Sequence, residues 1–312
     1  MKSSARGPTP YAYRICGLRV ASEIDLPGAI PVAGHGAVPE VSVRLARLPA
    51  RLDDAAETGP NWSLAGDRLL LHVPRLARYL ITGGHSVDVE LTPGATVHDA
   101  SAFVLGTAFG ILLHQRGALV LHGAAVARAG SAIALCGRSG AGKSTLAAAL
   151  CQAGCEFVTD DLCAVEFDAA RQPLVEPDGR QLKLWRESME ALDLVARQGA
   201  AVRGGFEKYF FEPKAIARDP PRLAAIYVLR ESRPPRLDGI EALATPDAMR
   251  MLDLEAYRPG LRARLGSMPE ILAQGVAMLR HTKVFRLVCP RSFDELDATV
   301  ARLSQHWEQF AR

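Results

Sequence analysis

The sequence predicts an α/β fold over residues 96–312, preceded by a β-rich region over residues 1–95. Three observations favour this organisation. Apolar and polar residues alternate between Gly, Pro and Asp in the first region, as they do in half-buried strands. An apolar stretch begins near residue 96, and short apolar strands with one Ala- and Leu-rich helix follow it. Strands and helices in that order are typical of a sheet covered by helices.

The individual elements follow in chain order. Alternating segments predict strands in the first region: YAYRICGLRVASEI, EVSVRLARL, DRLLLHV, RYLITGG and HSVDVEL. The apolar stretch SAFVLGTAFGILLHQRG is broken by His114 and Arg116, so it is too short to span a membrane and predicts a buried helix. Further strands are predicted at ALVLHG, AAVARAG, SAIALCG, CEFVTDD, LCAVEFD, LAAIYVLRE and KVFRLVCP, and an amphipathic closing helix at SFDELDATVARLSQHWEQF.

Composition and charge argue against several classes of protein. The 312 residues include 37 basic and 34 acidic side chains, a net charge of +3, with no basic run interleaved with aromatics. Binding to nucleic acid is therefore not expected. The N-terminal residues lack the apolar core of a signal peptide. The six cysteines show neither a Cys-x-x-Cys pair nor the spacing of zinc ligands. These features predict a soluble, cytoplasmic protein with reduced cysteines and no membrane segment.

The segment CGRSGAGKST fits the P-loop pattern at Gly137-x-x-x-x-Gly142-Lys143-Ser144. Such a loop needs glycines because backbone N–H groups must converge on phosphate oxygens and side chains would block them. The lysine reaches the β- and γ-phosphates, and the serine hydroxyl ligates Mg²⁺. An apolar strand before the segment and a helix after it support the prediction. ATP and Mg²⁺ are the expected ligands, bound by Gly137, Arg138, Ser139, Gly140, Ala141, Gly142, Lys143, Ser144 and Thr145.

Two adjacent carboxylates, Asp160 and Asp161, follow the helix that begins at this loop. Their position predicts that they lie at the carboxyl end of the next strand, beside the phosphate site. Two acids there can divide the work, because one can hold Mg²⁺ while the other accepts the proton of an incoming hydroxyl. The alternative is that both are ordinary turn residues at a strand end.

Residues 121–167 resemble the catalytic domain of the HPr kinase/phosphorylase family, with a His-Gly pair, two strands, the P-loop, a helix and the double aspartate in the same order. The resemblance implies that Lys143 and Ser144 bind phosphate and metal. It implies that Asp160 is the base on an acceptor serine and Asp161 a metal ligand, although the two acids can exchange these roles. His122 matches a histidine near the reacting phosphate, or else is a structural strand-end histidine.

The sequence also departs from that family. It lacks the Glu-x-Arg-Gly-Leu-Gly run that accompanies the reverse, phosphorylase reaction, and Glu176 is only a weak substitute for the metal ligand in that run. The segments GLRVASEIDLP and LKLW resemble an HPr-kinase-like subgroup encoded with lasso peptide pathways. That resemblance implies a serine kinase acting on the C-terminal serine of a precursor peptide. Residues 1–95 have no place in a minimal P-loop kinase, so we expect their strands to present the peptide. The wider family implies homo-oligomers.

Other interpretations stay open at this stage. The same loop and acids fit a kinase for a small molecule, although such kinases usually begin at the P-loop. They also fit a nucleotide-gated regulatory module without transfer chemistry. The stretch VRGGFEKYFFEPK, with Arg203, Lys208 and Lys214, either covers the triphosphate, contacts a peptide or forms a plain surface turn. Lys183 and Trp185 of LKLW either line the acceptor site or lie in an edge strand.

Overall fold

The computed structural model of the protein describes residues 11–32, 38–203, 205–232 and 238–309. Within these ranges the chain forms an eight-stranded sheet, a seven-stranded sheet and a two-stranded sheet, with helices packed against them. The predicted mixed α/β class is therefore confirmed. Residues 1–10 of the predicted β-rich region and the predicted helix residue Phe310 lie outside the described residues.

The first sheet contains the strands predicted in the β-rich region. Its strand order is β1-β2-β3-β8-β7-β6-β5-β4. Ala77, Tyr79 and Ile81 are fully buried while Arg78 and Leu80 between them are only partly buried, as the alternation predicts. β4 and β5 were not predicted, because three or four residues are too few to show alternation. The strands are β1 (Tyr11–Ile15), β2 (Leu18–Ser22), β3 (Val41–Leu45), β4 (Glu57–Gly59), β5 (Trp62–Ala65), β6 (Arg68–Val73), β7 (Ala77–Thr82) and β8 (Ser86–Leu91).

One continuous apolar helical run follows this sheet. It consists of α1 (Val97–Phe103), a π-helical turn (Val104–Ala108) and α2 (Phe109–Gln115). Its 19 residues are long and apolar enough to cross a membrane, so the prediction that it is too short was wrong. However, 72% of its most apolar stretch is buried inside the protein, as in the core helix of a soluble domain. Phe109 and Ile111 share one core with Tyr79 of the first sheet.

The second sheet holds the strands on either side of the glycine-rich segment. Its order is β10-β9-β11-β12-β15-β17-β16, and β10 also pairs with β15. β10, β15 and β17 run parallel, and β9 is antiparallel to both of its neighbours. Its strands are β9 (Leu119–Arg128), β10 (Ser131–Cys136), β11 (Glu156–Phe167), β12 (Pro173–Val175), β15 (Arg222–Glu231), β16 (Gly239–Ala242) and β17 (Lys283–Cys289). The two-stranded sheet pairs β13 (Leu182–Trp185) with β14 (Lys208–Phe211).

Helices cover the second sheet. Leu146 and Leu150 share a core with Leu303 and Trp307 near the end of the chain, so the predicted closing helix packs as an amphipathic helix should. The helices are α3 (Lys143–Gln152), α4 (Arg186–Ala191), α5 (Thr245–Leu254), α6 (Pro259–Leu265), α7 (Met268–His281) and α8 (Leu296–Trp307).

β9 and β11 are each one long strand, although each was predicted as two. The residue that suggested a break in β9, Gly123, lies within the strand and pairs with both Cys136 and Asp161. A Cβ atom at Gly123 would come within 2.7 Å of the Leu135 carbonyl oxygen. The glycine therefore permits close approach of two strands rather than marking a turn.

The loop between β12 and β13 joins the two large sheets. The Gly179 carbonyl accepts from Ile30 N–H at 2.6 Å, and the Gly28 carbonyl accepts from Gln181 N–H at 2.7 Å. On its other side the loop donates from Asp178 N–H to the Val158 carbonyl of β11. A chain segment close to the first sheet is thus held by main-chain bonds to the strand that carries the two aspartates.

Gly179→Ala is expected to destabilise the protein more than a matched change elsewhere. Gly179 has a φ of 63°, and an added Cβ would overlap the Arg14 carbonyl oxygen. Gly66 has a φ of 58° with nothing within 4 Å of an added Cβ, so Gly66→Ala measures backbone strain alone. That strain costs about 1–2 kcal/mol, and the clash adds about 1–3 kcal/mol. Equal thermal midpoints for the two variants would contradict this account.

Candidate functional site

The segment between β10 and α3 is a bare glycine-rich loop, residues 137–142. Three of its residues have positive φ: 144° at Gly137, 78° at Gly140 and 89° at Gly142. Nothing lies within 4 Å of a Cβ added to Gly142, immediately before α3 begins. The loop therefore places glycine backbone at the N-terminus of α3, which is the arrangement that binds phosphate. Nucleotide binding itself stays a prediction.

Lys143 is folded back over this loop and largely buried. Its Nζ donates to the Gly137 carbonyl at 2.7 Å and to the Arg138 carbonyl at 3.1 Å. Burial lowers the pKa of the ammonium, although nearby acids oppose that shift. Of the other predicted loop residues, Ser139 faces a cavity and Thr145 bonds to the Ser188 hydroxyl at 2.9 Å.

The register of the second sheet brings the aspartates beside the loop. Cys136, the last residue of β10, pairs with Gly123 of β9, and Gly123 pairs with Asp161 of β11. The acids therefore lie next to the loop as predicted, but in the middle of a strand. The predicted strand-end position is wrong, because β11 continues to Phe167, well beyond the level at which β10 ends.

The two carboxylates contact different groups. Ser144 donates its hydroxyl proton to Asp160 Oδ1 at 2.8 Å. Asp161 Oδ1 lies 3.5 Å from His122 Nε2, and Asp161 Oδ2 lies 3.8 Å from Lys183 Nζ. Lys183 touches both acids, since its backbone N–H donates to Asp160 Oδ2 at 3.3 Å. Consecutive strand residues normally point to opposite faces of the sheet. Asp161 has a φ of 78°, which is not that of a regular strand, so the alternation is interrupted between the two acids.

The charges around Asp161 decide its protonation. Burial alone would raise its pKa, but Lys183, then Arg180, His122 and Lys208, hold the pKa below its ordinary value. The pKa of His122 is lowered, chiefly by burial and next by Lys143, and the nearby acids only partly oppose the shift. Near neutral pH the pair is therefore a carboxylate beside a neutral imidazole.

A buried ion pair holds the backbone of Asp160. Asp178 and Arg180 both have side chains only 1% exposed, with 3.0 Å between Oδ2 and the guanidinium. Asp178 accepts from the Asp160 N–H at 3.0 Å, and Arg180 donates to the Asp160 carbonyl at 2.8 Å. Arg180 also donates to the Leu105 carbonyl in the π-helical turn at 2.7 Å. This clamp, Asp178 with Arg180, fixes both ends of the Asp160 residue.

A cavity of about 580 Å³ opens above these groups. It is lined by the π-helical turn, by β13–β14 and by the residues just before α6. The residues before α6 lie there because their segment pairs with the part of β9 that extends beyond the end of β10. In this pairing His122 N–H donates to the Glu255 carbonyl, and Tyr257 N–H donates to the Val120 carbonyl. The described lining residues are Ala102, Phe103, Gly106, Thr107, His122, Ser139, Asp161, Trp185, Val202, Arg203, Phe206, Lys208, Tyr257 and Arg258.

Sequence reasoning missed part of this site. Tyr257 packs its ring edge-on against His122 at 6.0 Å between ring centroids, and Arg258 donates to the Thr107 hydroxyl at 2.8 Å. No local motif marked them, since these contacts span more than a hundred residues of chain. Arg203 and Lys208, for which a plain surface turn was the alternative, line the cavity, and so does Trp185, for which an edge strand was the alternative.

A Mg²⁺ ion fits the Ser144 and Asp160 oxygens, which are the hard ligands that this ion prefers. Across the described ranges no cluster of three or more His, Cys, Asp or Glu side chains could hold a metal. An ion here would thus need further ligands from a nucleotide, as magnesium sites on phosphates usually do. Glu176 instead packs its carboxylate against Gly17 in the first sheet and is not among the described cavity residues.

Comparison with known proteins gives a similarity to solved structures. No family model matches the sequence, and no curated protein matches it. Among solved structures, the chain is similar to the Hpr(Ser) kinase/phosphatase from Coxiella burnetii, with 11% sequence identity and a TM-score of 0.32. The similarity covers 61% of this chain and 97% of that one. A TM-score this low supports no conclusion about the fold or the activity of this chain.

Proposed function

We propose that the protein is an ATP- and Mg²⁺-dependent kinase that transfers phosphate to a serine hydroxyl of a peptide or small protein. The observation that carries the proposal is the pairing of Ser144 with Asp160 directly after a bare glycine-rich loop, while a second carboxylate, Asp161, faces the adjoining cavity. Phosphoryl transfer needs a phosphate cradle, a metal position and a group that receives the acceptor hydroxyl. These residues supply one group for each need.

Asp160 and Ser144 are the proposed metal ligands. Their oxygens are in hydrogen-bond contact, so both can face one ion. Held by these two residues, Mg²⁺ would supply positive charge that offsets the negative charge of the phosphates. Lys143, whose Nζ lies on the loop carbonyls, is positioned to donate to phosphate oxygens held by the same loop. This assignment exchanges the roles expected from the family resemblance, in which Asp160 was the base and Asp161 the metal ligand.

Asp161 is the proposed acceptor of the serine proton. It lines the cavity and is ionised near neutral pH, so it can accept a hydrogen bond from a hydroxyl that enters there. His122, neutral and 3.5 Å from Asp161 Oδ1, orients that carboxylate. Lys183 holds Asp161 from the other oxygen. His122 is thus assigned a positioning role beside the reacting groups rather than a purely structural one.

The most specific form of the proposed acceptor is the C-terminal serine of a lasso precursor peptide, in a cytoplasmic setting. Trp185 and Phe206 support a peptide acceptor, because each is 48% exposed at the cavity and exposed aromatics are enriched at interfaces. The described lining begins at Ala102, so residues 1–95 would meet only those parts of a peptide that extend beyond the cavity. Homo-oligomer formation remains a separate prediction.

Mass spectrometry of a candidate precursor peptide, incubated with the protein, ATP and Mg²⁺, tests the proposal. We expect one added phosphate on a serine and no addition by the Lys143→Ala variant, which loses on the order of a thousandfold in turnover. Phosphorylation of free metabolites with every peptide untouched would favour a small-molecule kinase. ATP binding without any transfer would favour a regulatory module.

Asp160→Asn and Asp161→Asn are expected to change different kinetic parameters. Asp160→Asn removes a metal ligand, so the Mg²⁺ concentration for half-maximal activity should rise. Asp161→Asn removes the proton acceptor, so kcat should fall about 10²–10⁴-fold while the Mg²⁺ requirement stays nearly unchanged. Steady-state kinetics over a Mg²⁺ series separates the two effects, and circular dichroism checks the fold. The reverse pattern would restore Asp160 as the base.

Lys183→Met is expected to move the acid limb of the kcat/KM profile to higher pH. Activity requires ionised Asp161, and the Lys183 charge favours that form, so removing the charge raises the pKa of the carboxyl group. A shift of about one pH unit is expected for the loss of one close charge. Lys283→Met, at an exposed position at the start of β17, is the matched control and should leave the profile unchanged. An unshifted limb in Lys183→Met would remove Asp161 from the proton transfer.

A further inference from the structure

We infer that Arg258, with Lys208, recognises a carboxylate next to the acceptor hydroxyl, so that the substrate is an anionic serine peptide rather than a neutral one. This inference rests on the proposed function and names the substrate class of the same site. Both cationic side chains line the cavity that Asp161 faces.

The charge balance of the cavity is the first observation. Among its described lining residues, Asp161 is the one acid, whereas Arg203, Lys208 and Arg258 are basic. In the described part of the chain none of these three cations forms an ion pair; each lies over an aromatic ring. Three cations and one acid leave an excess of positive charge beside an accessible cavity, which favours an anionic occupant.

The position of Arg258 relative to Asp161 is the second observation. A methyl group on Gly106 would lie 3.8 Å from Asp161 Oδ2 and 3.9 Å from the Tyr257 hydroxyl. Arg258 is hydrogen-bonded to the next residue, Thr107. Asp161 and Arg258 therefore meet neighbouring residues of the π-helical turn and line the same cavity. A substrate whose hydroxyl is at Asp161 can thus present an adjacent carboxylate to Arg258.

The backbone of Arg258 is the third observation. Its φ of 45° and ψ of 65° are left-handed, a conformation that is costly for a residue other than glycine. Strain of this kind persists where the surrounding structure holds it, and it clusters at ligand-binding positions. Here the strained residue starts α6 and turns its side chain to Thr107 in the π-helical turn. The guanidinium of this exposed residue is thereby anchored at the cavity.

The acceptor, rather than the nucleotide, is the better partner for Arg258. In the proposed function, Lys143 and the backbone of the glycine-rich loop already contact the phosphates. The groups around Arg258 are Thr107 and Tyr257, and Tyr257 in turn contacts His122. Arg258 therefore belongs to the wall beside Asp161, where the hydroxyl enters.

Paired peptides test the inference with the full-length protein. The probes are N-acetyl-Gly-Ala-Phe-Ala-Ser as its free acid and as its C-terminal amide, and an amidated peptide pair in which Asp or Asn follows the serine. We expect the free acid or the Asp peptide to have a KM about tenfold to a hundredfold lower than its neutral twin. Which pair discriminates identifies the α-carboxylate or a side-chain carboxylate as the group recognised.

The variants then assign the effect. Arg258→Gln should abolish the discrimination without changing the KM for ATP, and Arg258→Lys should keep part of it. Arg250→Gln, at an exposed position on α5 outside the cavity lining, should behave as wild type. Equal KM values for both twins in the wild type would overturn the inference alone, as would a rise in the KM for ATP with discrimination intact in Arg258→Gln.

Calorimetric binding separates failure of the inference from failure of the proposed function. If no peptide is phosphorylated, the serine-kinase proposal fails. Tighter binding of the anionic twin that Arg258→Gln removes would then still support carboxylate recognition by Arg258. If no peptide is phosphorylated and the twins also bind with equal affinity, both the proposed function and the inference are overturned.

Discussion

The buried clamp formed by Asp178 and Arg180 is the constraint on which the site depends. It holds Asp160 through both its N–H and its carbonyl, and it reaches the π-helical turn through the Leu105 carbonyl. A buried ion pair is weak evidence for stability, because desolvation offsets its attraction. Its value here is geometric, since removing either partner would leave an uncompensated charge together with unsatisfied backbone groups. The clamp connects the aspartate strand, the apolar helical run and the loop that joins the sheets.

The clamp holds the backbone immediately before a residue with a strained conformation. Asp161, directly after the clamped Asp160, has a φ of 78°, a conformation that costs about 1–3 kcal/mol for such a residue. In a regular strand the two carboxylates would face opposite sides of the sheet. Here both contact Lys183, one through its backbone and the other through its ammonium. The fold thus spends conformational energy to bring consecutive acids to one place, where one meets Ser144 and the other the cavity.

The sequence predicted what is local and missed what depends on distant contacts. The α/β class, most strands, the loop ending at Gly142 and the closeness of the two acids followed from residue pattern. The short strands β4 and β5 did not, because they have too few residues to show alternation. The uninterrupted course of β9 and β11 did not either, because Gly123 suggested a break in β9 and the two aspartates suggested a strand end within β11. Tyr257 and Arg258 reach the site only because their segment pairs with β9 beyond the end of β10. A π-helical turn has no pattern that separates it from an α-helix, so Thr107 gave no signal.

The cations that keep Asp161 ionised also limit its strength as a base. Lys183 and Arg180 keep the carboxylate ionised against the effect of burial, and a carboxylate with a lowered pKa is a weak base. A weak base is sufficient where the transition state is loose, because the hydroxyl needs orientation first and loses its proton late. Asp160, which contacts Ser144, does not have to balance ionisation against basicity, since a metal ligand needs only its negative charge and its position. In the proposed reaction the division of labour between the two acids therefore follows from their neighbours: Asp160 faces a hydroxyl beside the phosphate loop, and Asp161 faces an imidazole, an ammonium and an open cavity.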